Sequence, residues 1–277
     1  MDAETKLITV YLWVCGCLDR IVNGVRLRHR GFAPKLSDAE ALTMEIFGEL
    51  LGLRSDAAIW RYFKDHWSPW FPGLGSHANF AKPCANLYGV KQAILAESFM
   101  SYDDVHLIDG FPVPVCHIAR AHRSRAYRGE AAYGSCASKD EHYYGFKGHL
   151  TVDRSARIVH FTLTAANIDE RQILPNLFGR ISGWLLGDKG YLGKHWQAEA
   201  AAHGLQLVTP LRSNMDDPCD PKLMAWFMNV RRRIETAIGQ LVEDLSFCDV
   251  RTHDLWHLTG RLARKLLAYN LSLAMNW

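Results

Sequence analysis

The first hundred residues carry apolar positions at helical spacing. Leu42, Ile46 and Leu50 recur every four residues, which places them on one face of a helix. The sequence SDAE at 37–40 begins this helix with the pattern of a capping box, and Gly52 ends it. Further short helices are predicted from residue 55, over about 77–88 and over about 89–101. We therefore expect an N-terminal all-helical region over 1–102.

From residue 105 the pattern changes to strand-length runs of apolar and β-branched residues, which predict strands. The runs are VHLID at 105–109, VPVCHI at 113–118, GHLTVD at 148–153, RIVHFTLTA at 157–165, WLLGD at 184–188 and LQLVTP at 205–210. Helical patterns begin among them at NIDE (167–170), after Gly187-Asp188 and at about Pro221. Adjacent strands followed by alternating strands and helices indicate an α/β fold with a mixed sheet flanked by helices.

The last helical stretch begins near residue 255. Leu258, Leu262 and Leu266 form an apolar stripe, while Arg261 and Lys265 share another face. This pattern predicts an amphipathic helix packed on the sheet, with its basic edge toward a polyanion such as DNA. We therefore expect a single domain over 103–277.

Composition limits the class of protein. A chain of 277 residues with 48% hydrophobic residues can bury a large core, and its net charge of +3 is too small to indicate a nucleic-acid binder by itself. Seven cysteines without a CxxC pair suit a reducing compartment. No basic leader and no apolar run of membrane-spanning length is present in the sequence. We expect a soluble, cytoplasmic protein.

Two carboxylates directly follow strand patterns. Asp109 ends VHLID and precedes Gly110, and Asp188 follows Gly187 at the end of WLLG. Ligands of α/β sheets bind at the carboxyl ends of strands, so we expect both acids at one edge of the sheet. Taken alone, Asp188 is also typical of a helix cap or a turn.

A third acid, Glu235, lies in RRRIETAIGQL beside the apolar face of a helix. An acid among core-facing residues is costly unless it is paired or binds a cation. Pairing with the neighbouring arginines is one alternative. Three converging carboxylates suit Mg²⁺, or Mn²⁺ in its place. Two such ions can activate a water or a 3′-hydroxyl for attack on a phosphodiester.

Four motifs in order, LIDG, YYGFKGH, GDKGY and R-x-x-x-E, resemble those of bacterial insertion-sequence transposases of the DDE class. The resemblance spans about 105–275 and implies a ribonuclease-H-like catalytic fold. It also implies that Asp109, Asp188 and Glu235 are the catalytic, metal-binding triad. Arg231 matches the arginine of the family's Tyr-Arg-Glu-Lys signature. The tyrosine and lysine positions of that signature are occupied here by Met228 and Val242.

A long polar stretch between the second and third strand patterns is rich in arginine and tyrosine. Arginine suits phosphates and tyrosine suits exposed bases, so this stretch predicts contact with a DNA end. A solvated loop is the alternative. Lys147 and Lys189 lie close in sequence to acidic motifs and are expected at scissile phosphates. The basic residues expected on DNA are Arg120, Arg123, Arg125, Arg128, Lys139, Lys147, Lys189, Arg231 and Arg232.

The resemblance implies a transposase that cleaves DNA at the terminal inverted repeats of a mobile element and joins the freed 3′-hydroxyl to target DNA. The short, partly basic helices of 1–102 fit a helix-turn-helix reader of the DNA ends, and equally a small helical bundle. Because such an enzyme acts on two DNA ends, we expect a homodimer. The alternatives are a metal-dependent nuclease that cuts without joining and a catalytically decayed remnant that only binds DNA. A bacterial, nucleoid-associated location is expected.

Overall fold

A computed structural model describes residues 2–23, 27, 34–136, 141–211 and 221–277. Lys139, expected on DNA, lies outside these residues. The chain divides into two compact units. The helical unit comprises Met1–Ser98 and Glu243–Trp277, and the sheet unit comprises Phe99–Val242. Each unit has its own core.

The described elements follow the predicted order, helices first and strands later. The helices are α1 (Ala3–Val22), α2 (Asp38–Leu50), α3 (Asp56–His66), α4 (His77–Asn86), α5 (Tyr88–Ser98), α6 (Lys194–Ala202), α7 (Pro221–Glu243) and α8 (Leu255–Met275). The strands are β1 (Val105–Cys116), β2 (Ala132–Cys136), β3 (Glu141–Asp153), β4 (Ile158–Ala165), β5 (Gly183–Leu186) and β6 (Leu205–Val208). Short 3₁₀ helices cover Ile118–Arg123, Glu170–Leu177 and Lys189–Tyr191.

Helix α2 begins with the predicted capping box. The Ser37 hydroxyl accepts a hydrogen bond from the Glu40 N–H at 3.1 Å, and the Glu40 carboxylate accepts one from the Ser37 N–H at 2.6 Å. Both bonds satisfy backbone donors that the first turn of a helix leaves unpaired. Ser55 caps α3 through the Ala58 N–H in a related way.

Helix α8 packs against α2 and α5 of the helical unit, which corrects the expectation that it lies on the sheet with a basic edge toward DNA. The physical reason is a buried charge network. The Arg264 side chain is 1% exposed and contacts Glu45 at 3.3 Å, Glu49 at 2.5 Å and Asp56 at 2.6 Å. Lys265, 2% exposed, lies 2.6 Å from Glu49. The cationic face of α8 is thus neutralised inside the helical unit, and residues 243–277 group with it rather than with the sheet unit.

The described strands form one mixed sheet in the order β2-β3-β1-β5-β6, with β4 paired to β3. Strand β1 is antiparallel to β3 and parallel to β5, and β5 is parallel to β6. The predicted α/β class, a ribonuclease-H-like mixed sheet flanked by helices, is confirmed. Among the described residues, none of the helices could span a membrane, because each is too short or too polar.

The two predicted strands at 105–109 and 113–118 are one strand, β1. Its pairing with β3 continues from His106 through Cys116, with an irregularity after Pro114. Its pairing with β5 ends at Leu107. Pro112 and Pro114, which lack an N–H, therefore lie where β1 pairs with β3 alone, so neither proline interrupts a ladder on the β5 side.

Apolar side chains between the sheet and the Glu170–Leu177 3₁₀ helix form the core beneath the strand ends. This cluster includes Ile108, Ile173, Leu174, Leu177, Leu185, Tyr191 and Leu205. The helix predicted from 167–170 is a 3₁₀ helix, and Pro175 within it lacks the N–H that an α-helix would need. Its packing fixes the position of Glu170 relative to β1 and β5.

Candidate active site

Asp109 and Asp188 occupy equivalent positions on neighbouring parallel strands. Leu107 of β1 pairs with Leu186 of β5, and each acid lies two residues further along its strand direction. Both acids line one cleft of about 670 Å³. The structure therefore brings the two acids together, but Asp109 lies within β1 and not at its end, because β1 continues to Cys116 alongside β3.

Glu235 lines the same cleft from α7, but it is not buried. Its side chain is 59% exposed, whereas that of Asp109 is 18% exposed. The expectation of a costly acid among core residues is thus corrected for Glu235, because the buried stripe of α7 runs through Phe227, Ile234 and Leu241. The buried, costly carboxylate of the cleft is Asp109.

Arg231 bridges two of the acids. Its Nη2 atom donates a hydrogen bond to Asp109 Oδ2 at 3.2 Å, and its Nη1 atom lies 3.8 Å from Glu235 Oε1. The alternative in which Glu235 pairs with an arginine is therefore present in this arrangement. The guanidinium group of Arg231 therefore lies between the carboxylates of Asp109 and Glu235 and reduces the repulsion between them.

Asp188 also acts as a cap. Its Oδ1 atom accepts a hydrogen bond from the Gly190 N–H at 2.7 Å and begins the Lys189–Tyr191 3₁₀ helix. The bond holds one carboxylate oxygen against the turn. Capping and lining the cleft are therefore compatible roles, since the same carboxylate does both.

Glu170 is an acid of the cleft that the sequence analysis missed. Its Oε1 atom lies 3.2 Å from Lys147 Nζ, and its side chain is 24% exposed. NIDE is a common pattern at the start of a helix, and this ordinary interpretation concealed the role of Glu170 in the cleft. The available signal was that Glu170, like Asp109 and Asp188, closely follows a strand pattern.

The charges of the cleft do not balance. Its described lining holds four carboxylates, those of Asp109, Glu170, Asp188 and Glu235. The cationic side chains in the same lining are Lys147 and Arg231. Two positive charges are lacking, which is the charge of one divalent cation. Hard carboxylate oxygens are the ligands that Mg²⁺ and Mn²⁺ prefer.

Burial raises the pKa of the Asp109 carboxyl to about 6, although Arg231 acts in the opposite direction. The nearby carboxylates of Asp188 and Glu170 add to the rise in the Asp109 pKa. The Gly110 N–H, which donates to Asp109 Oδ1 at 2.9 Å, lowers it. These acids are close enough to repel one another, and a bound cation would relieve that repulsion.

Two buried polar atoms beside these acids have no hydrogen-bond partner among the described residues, the Tyr191 hydroxyl and Arg231 Nε. Such groups are costly and are often completed by a ligand or an ordered water. No three His, Cys, Asp or Glu side chains of the described ranges lie close enough together to hold a metal ion in this arrangement. Movement of the long side chains of Glu170 or Glu235 would be needed to assemble such a site.

Most of the residues expected on DNA lie outside the cleft lining. Lys147 and Arg231 line it, and Lys147 also donates to the Ile168 carbonyl at 3.4 Å. The others are exposed at the surface of the sheet unit: Arg120, Arg123, Arg125, Arg128, Lys189 and Arg232. The four arginines from 120 to 128 belong to the polar stretch, whose described part over 118–136 contains a 3₁₀ helix and strand β2 and so is not entirely a loop.

Comparisons with known proteins agree with this architecture. A cryo-EM structure of a piggyBac transposase synaptic complex with hairpin DNA is similar, with a TM-score of 0.53, 97% of this chain and 73% of that chain covered, and 8% identity. At this identity the likeness concerns the fold alone. No match was found among curated proteins. A family model described as the transposase DDE domain matches residues 99–253, more than half of the chain. The chain therefore belongs to the transposase DDE domain family.

Proposed function

We propose that this DDE transposase cleaves DNA at the ends of a mobile element and transfers the freed 3′-hydroxyl to target DNA. It would use the cleft in which Asp109 of β1 lies beside Asp188, which follows β5. One observation carries the proposal: Asp109, Asp188 and Glu235 line a single cleft in a chain of this family. The catalytic and metal-binding residues proposed are these three acids.

The lack of two positive charges in the cleft supports a divalent cation, Mg²⁺ or Mn²⁺, held by Asp109, Asp188 and Glu235. A bound ion supplies Lewis acidity toward the phosphodiester, and a pair of ions is the arrangement that two-metal chemistry uses. Arg231 already lies between Asp109 and Glu235, and so partly neutralises their negative charges when no metal is bound. Lys147, 16% exposed on β3, provides a fixed positive charge toward the scissile phosphate.

DNA is proposed to approach across the exposed basic residues of the sheet unit. Arg120, Arg123, Arg125 and Arg128 lie in the segment between β1 and β2. Tyr133 on β2 is 56% exposed, and its ring centroid lies 5.0 Å from that of Tyr144 on β3. Arginines that neutralise phosphates and tyrosines that stack on exposed bases suit a distorted DNA end. The DNA would be the terminal inverted repeats and the target, and a homodimer would hold two ends.

The experiment is a cleavage assay on a labelled duplex made from the DNA that flanks the gene, with Mg²⁺ or with EDTA. We expect cleavage by the wild-type protein with Mg²⁺ and none with EDTA. Asp188→Asn should lose at least about a hundredfold in rate, because a neutral amide is a poor ligand for a hard cation. Its fold and DNA affinity should be unchanged.

The matched control is Glu199→Gln, which removes an acid of the same unit from α6, where Glu199 pairs with His195. It should cleave like the wild-type protein. Equal cleavage by Asp188→Asn and wild-type protein would disprove the site. DNA binding without cleavage under any metal would favour a DNA-binding remnant.

A further inference from the structure

We propose that Glu170 is a further cation-binding residue of the cleft and acts together with Asp188 and Asp109. The inference rests on the proposed function, since it adds a ligand to the same site. It differs from the sequence-based triad, in which Glu235 supplies the only glutamate.

Two glycines make room for the Glu170 carboxylate. A Cβ at Gly190 would lie 2.4 Å from Glu170 Oε2 and 2.9 Å from Asp188 Oδ1. A Cβ at Gly110 would lie 3.1 Å from Glu170 Oε1. Glu170 therefore lies against the residue that follows Asp109 and against the turn that Asp188 caps. Its oxygens and those of Asp188 face the same small volume.

This closeness is unfavourable unless a cation compensates for it. Like-charged carboxylates repel, and a partly desolvated environment strengthens the repulsion. In the described structure the compensating charge near Glu170 is the ammonium group of Lys147, 3.2 Å from Oε1. Lys147 thus neutralises Glu170 in the absence of metal, as Arg231 does for Asp109.

Glu170 is better placed than Glu235 to share an ion with Asp188. The Glu170 side chain is 24% exposed and is held by packing of the 3₁₀ helix that it begins, whereas the Glu235 side chain is 59% exposed. A buried ligand loses less side-chain freedom when it binds an ion, because much of that freedom is already lost. We therefore assign Glu170 a larger share of the affinity for the first ion than Glu235.

The test is Mn²⁺ binding to the full chain, measured by electron paramagnetic resonance of free Mn²⁺ without DNA. Glu170→Gln, which keeps the size of the side chain and one acceptor oxygen, should weaken Mn²⁺ binding at least about tenfold, since even the loss of an outer-shell partner of a metal weakens its binding that much. Asp188→Asn should weaken it similarly, and Glu199→Gln should leave it unchanged. Circular dichroism and thermal melting verify that each variant is folded.

A second variant separates binding of metal from positioning of Lys147. Lys147→Met removes the cation that competes for Glu170, so it should tighten Mn²⁺ binding. If Lys147→Met and Glu170→Gln both leave Mn²⁺ binding unchanged, Glu170 only positions Lys147 and the inference is wrong. If Asp188→Asn loses Mn²⁺ while Glu170→Gln keeps it, the inference fails and the proposed function stands. No Mn²⁺ binding by the wild-type protein would overturn both.

Discussion

The close approach of the Glu170 and Asp188 carboxylates depends on Gly190. Its backbone does not need the left-handed conformation, so the reason for a glycine here is space: a side chain would meet Glu170 and Asp188 at less than 3 Å. Gly187, directly before Asp188, has a similar role, because a Cβ there would lie 3.0–3.1 Å from the buried ring of Tyr191. The two glycines of the motif GDKGY are therefore required for packing, while Asp188 supplies the carboxylate of the cleft.

Gly190→Ala should weaken Mn²⁺ binding and DNA cleavage by roughly tenfold or more while every carboxylate is retained, because the methyl group separates Glu170 from Asp188. The matched control is Gly239→Ala on α7, where a Cβ would meet nothing within 4 Å. That variant should cleave normally and gain up to about 1 kcal/mol in stability from helix propensity. Cleavage by Gly190→Ala at the wild-type rate would contradict the packing argument.

The sequence predicted the two acids that follow apolar runs, Asp109 and Asp188, and missed Glu170, whose position depends on tertiary packing. Asp109 and Asp188 each follow an apolar run, and the parallel pairing of those runs suffices to place them side by side. Glu170 reaches them through the turn after β4 and the packing of a 3₁₀ helix, neither of which leaves a periodic pattern. The exposure of Glu235 was also missed, since it lies next to Ile234 in sequence but outside the buried stripe.

Helix α8 illustrates what a pattern indicates about an element and what it leaves undecided. The leucine stripe correctly predicted a helix, and Leu258, Leu262 and Leu266 are buried. The predicted amphipathic character is wrong, because every residue from Leu262 to Leu271 is buried, on all faces of the helix. A stripe does not specify which surface covers it. The decisive partners, Glu45 and Glu49 on α2, lie more than two hundred residues earlier in the chain. The pairing of acids on α2 with cations on α8 therefore could not be inferred from either helix alone.

Arg264→Met should destabilise the helical unit by roughly 1.5–3 kcal/mol, because the buried carboxylates lose charged hydrogen bonds to Arg264. Each acid keeps one other cation: Lys91 for Glu45, Lys265 for Glu49 and Arg261 for Asp56. Glu45 and Glu49 are each 1% exposed, so water cannot replace the lost cation. The control is Arg251→Met, at an exposed position, which should change the free energy of unfolding by less than about 0.5 kcal/mol. Urea denaturation followed by circular dichroism measures both. Equal stability of the two variants would show that the network contributes little.

Asp56 makes the stability of the same unit depend on pH. Burial alone would raise its pKa, but Arg264 and Arg261 outweigh burial and lower the pKa of Asp56 to about 2. The folded pKa is below the unfolded value, so the ionised group stabilises the fold above about pH 4 and loses that contribution as the pH falls toward 2. The contribution is about 2 kcal/mol, at 1.36 kcal/mol per pKa unit.

Asp56→Asn should therefore be less stable than the wild-type protein at pH 6, and the difference should shrink between pH 4 and pH 2. Asp249→Asn, which changes a half-exposed acid 3.7 Å from Arg54, is the control and should show a much smaller difference. Urea denaturation at a series of pH values provides the measurement. A difference between Asp56→Asn and wild-type protein that does not change with pH would contradict the lowered pKa.

Over the whole molecule, a net charge of +3 conceals an uneven distribution. The cleft carries an excess of acids, and exposed arginines occupy the segment between β1 and β2. This division suits a protein that holds a polyanion by its surface and reacts with it at a site requiring divalent cations. The sequence predicted the fold class and the family, because strand and helix patterns and the order of motifs can be read from the sequence alone. That the basic segment contacts DNA stays a prediction. The sequence did not predict the grouping of α8 with the helical unit, which is a property of the folded chain.

Replacing Arg120, Arg123, Arg125 and Arg128 with glutamine should weaken DNA binding and flatten its dependence on salt. Each lost phosphate contact changes the slope of log K against log salt by about 0.9 on duplex DNA. Arg180→Gln, at an exposed position of the same unit, should leave the slope unchanged. Fluorescence anisotropy between about 50 and 200 mM salt measures it. An unaltered slope in the fourfold variant would place the DNA elsewhere.

DNA strand transfer is the activity that we propose for the acids of the cleft. The most direct measurement uses a labelled duplex that already ends in the 3′-hydroxyl of the element, with a target plasmid and Mg²⁺, and counts joined products. We expect joining by the wild-type protein, loss of joining with EDTA and in Asp188→Asn, and normal joining by Glu199→Gln. Joining by Asp188→Asn at the wild-type rate would contradict the claim. Cleavage without any joining would indicate a nuclease that lacks strand transfer.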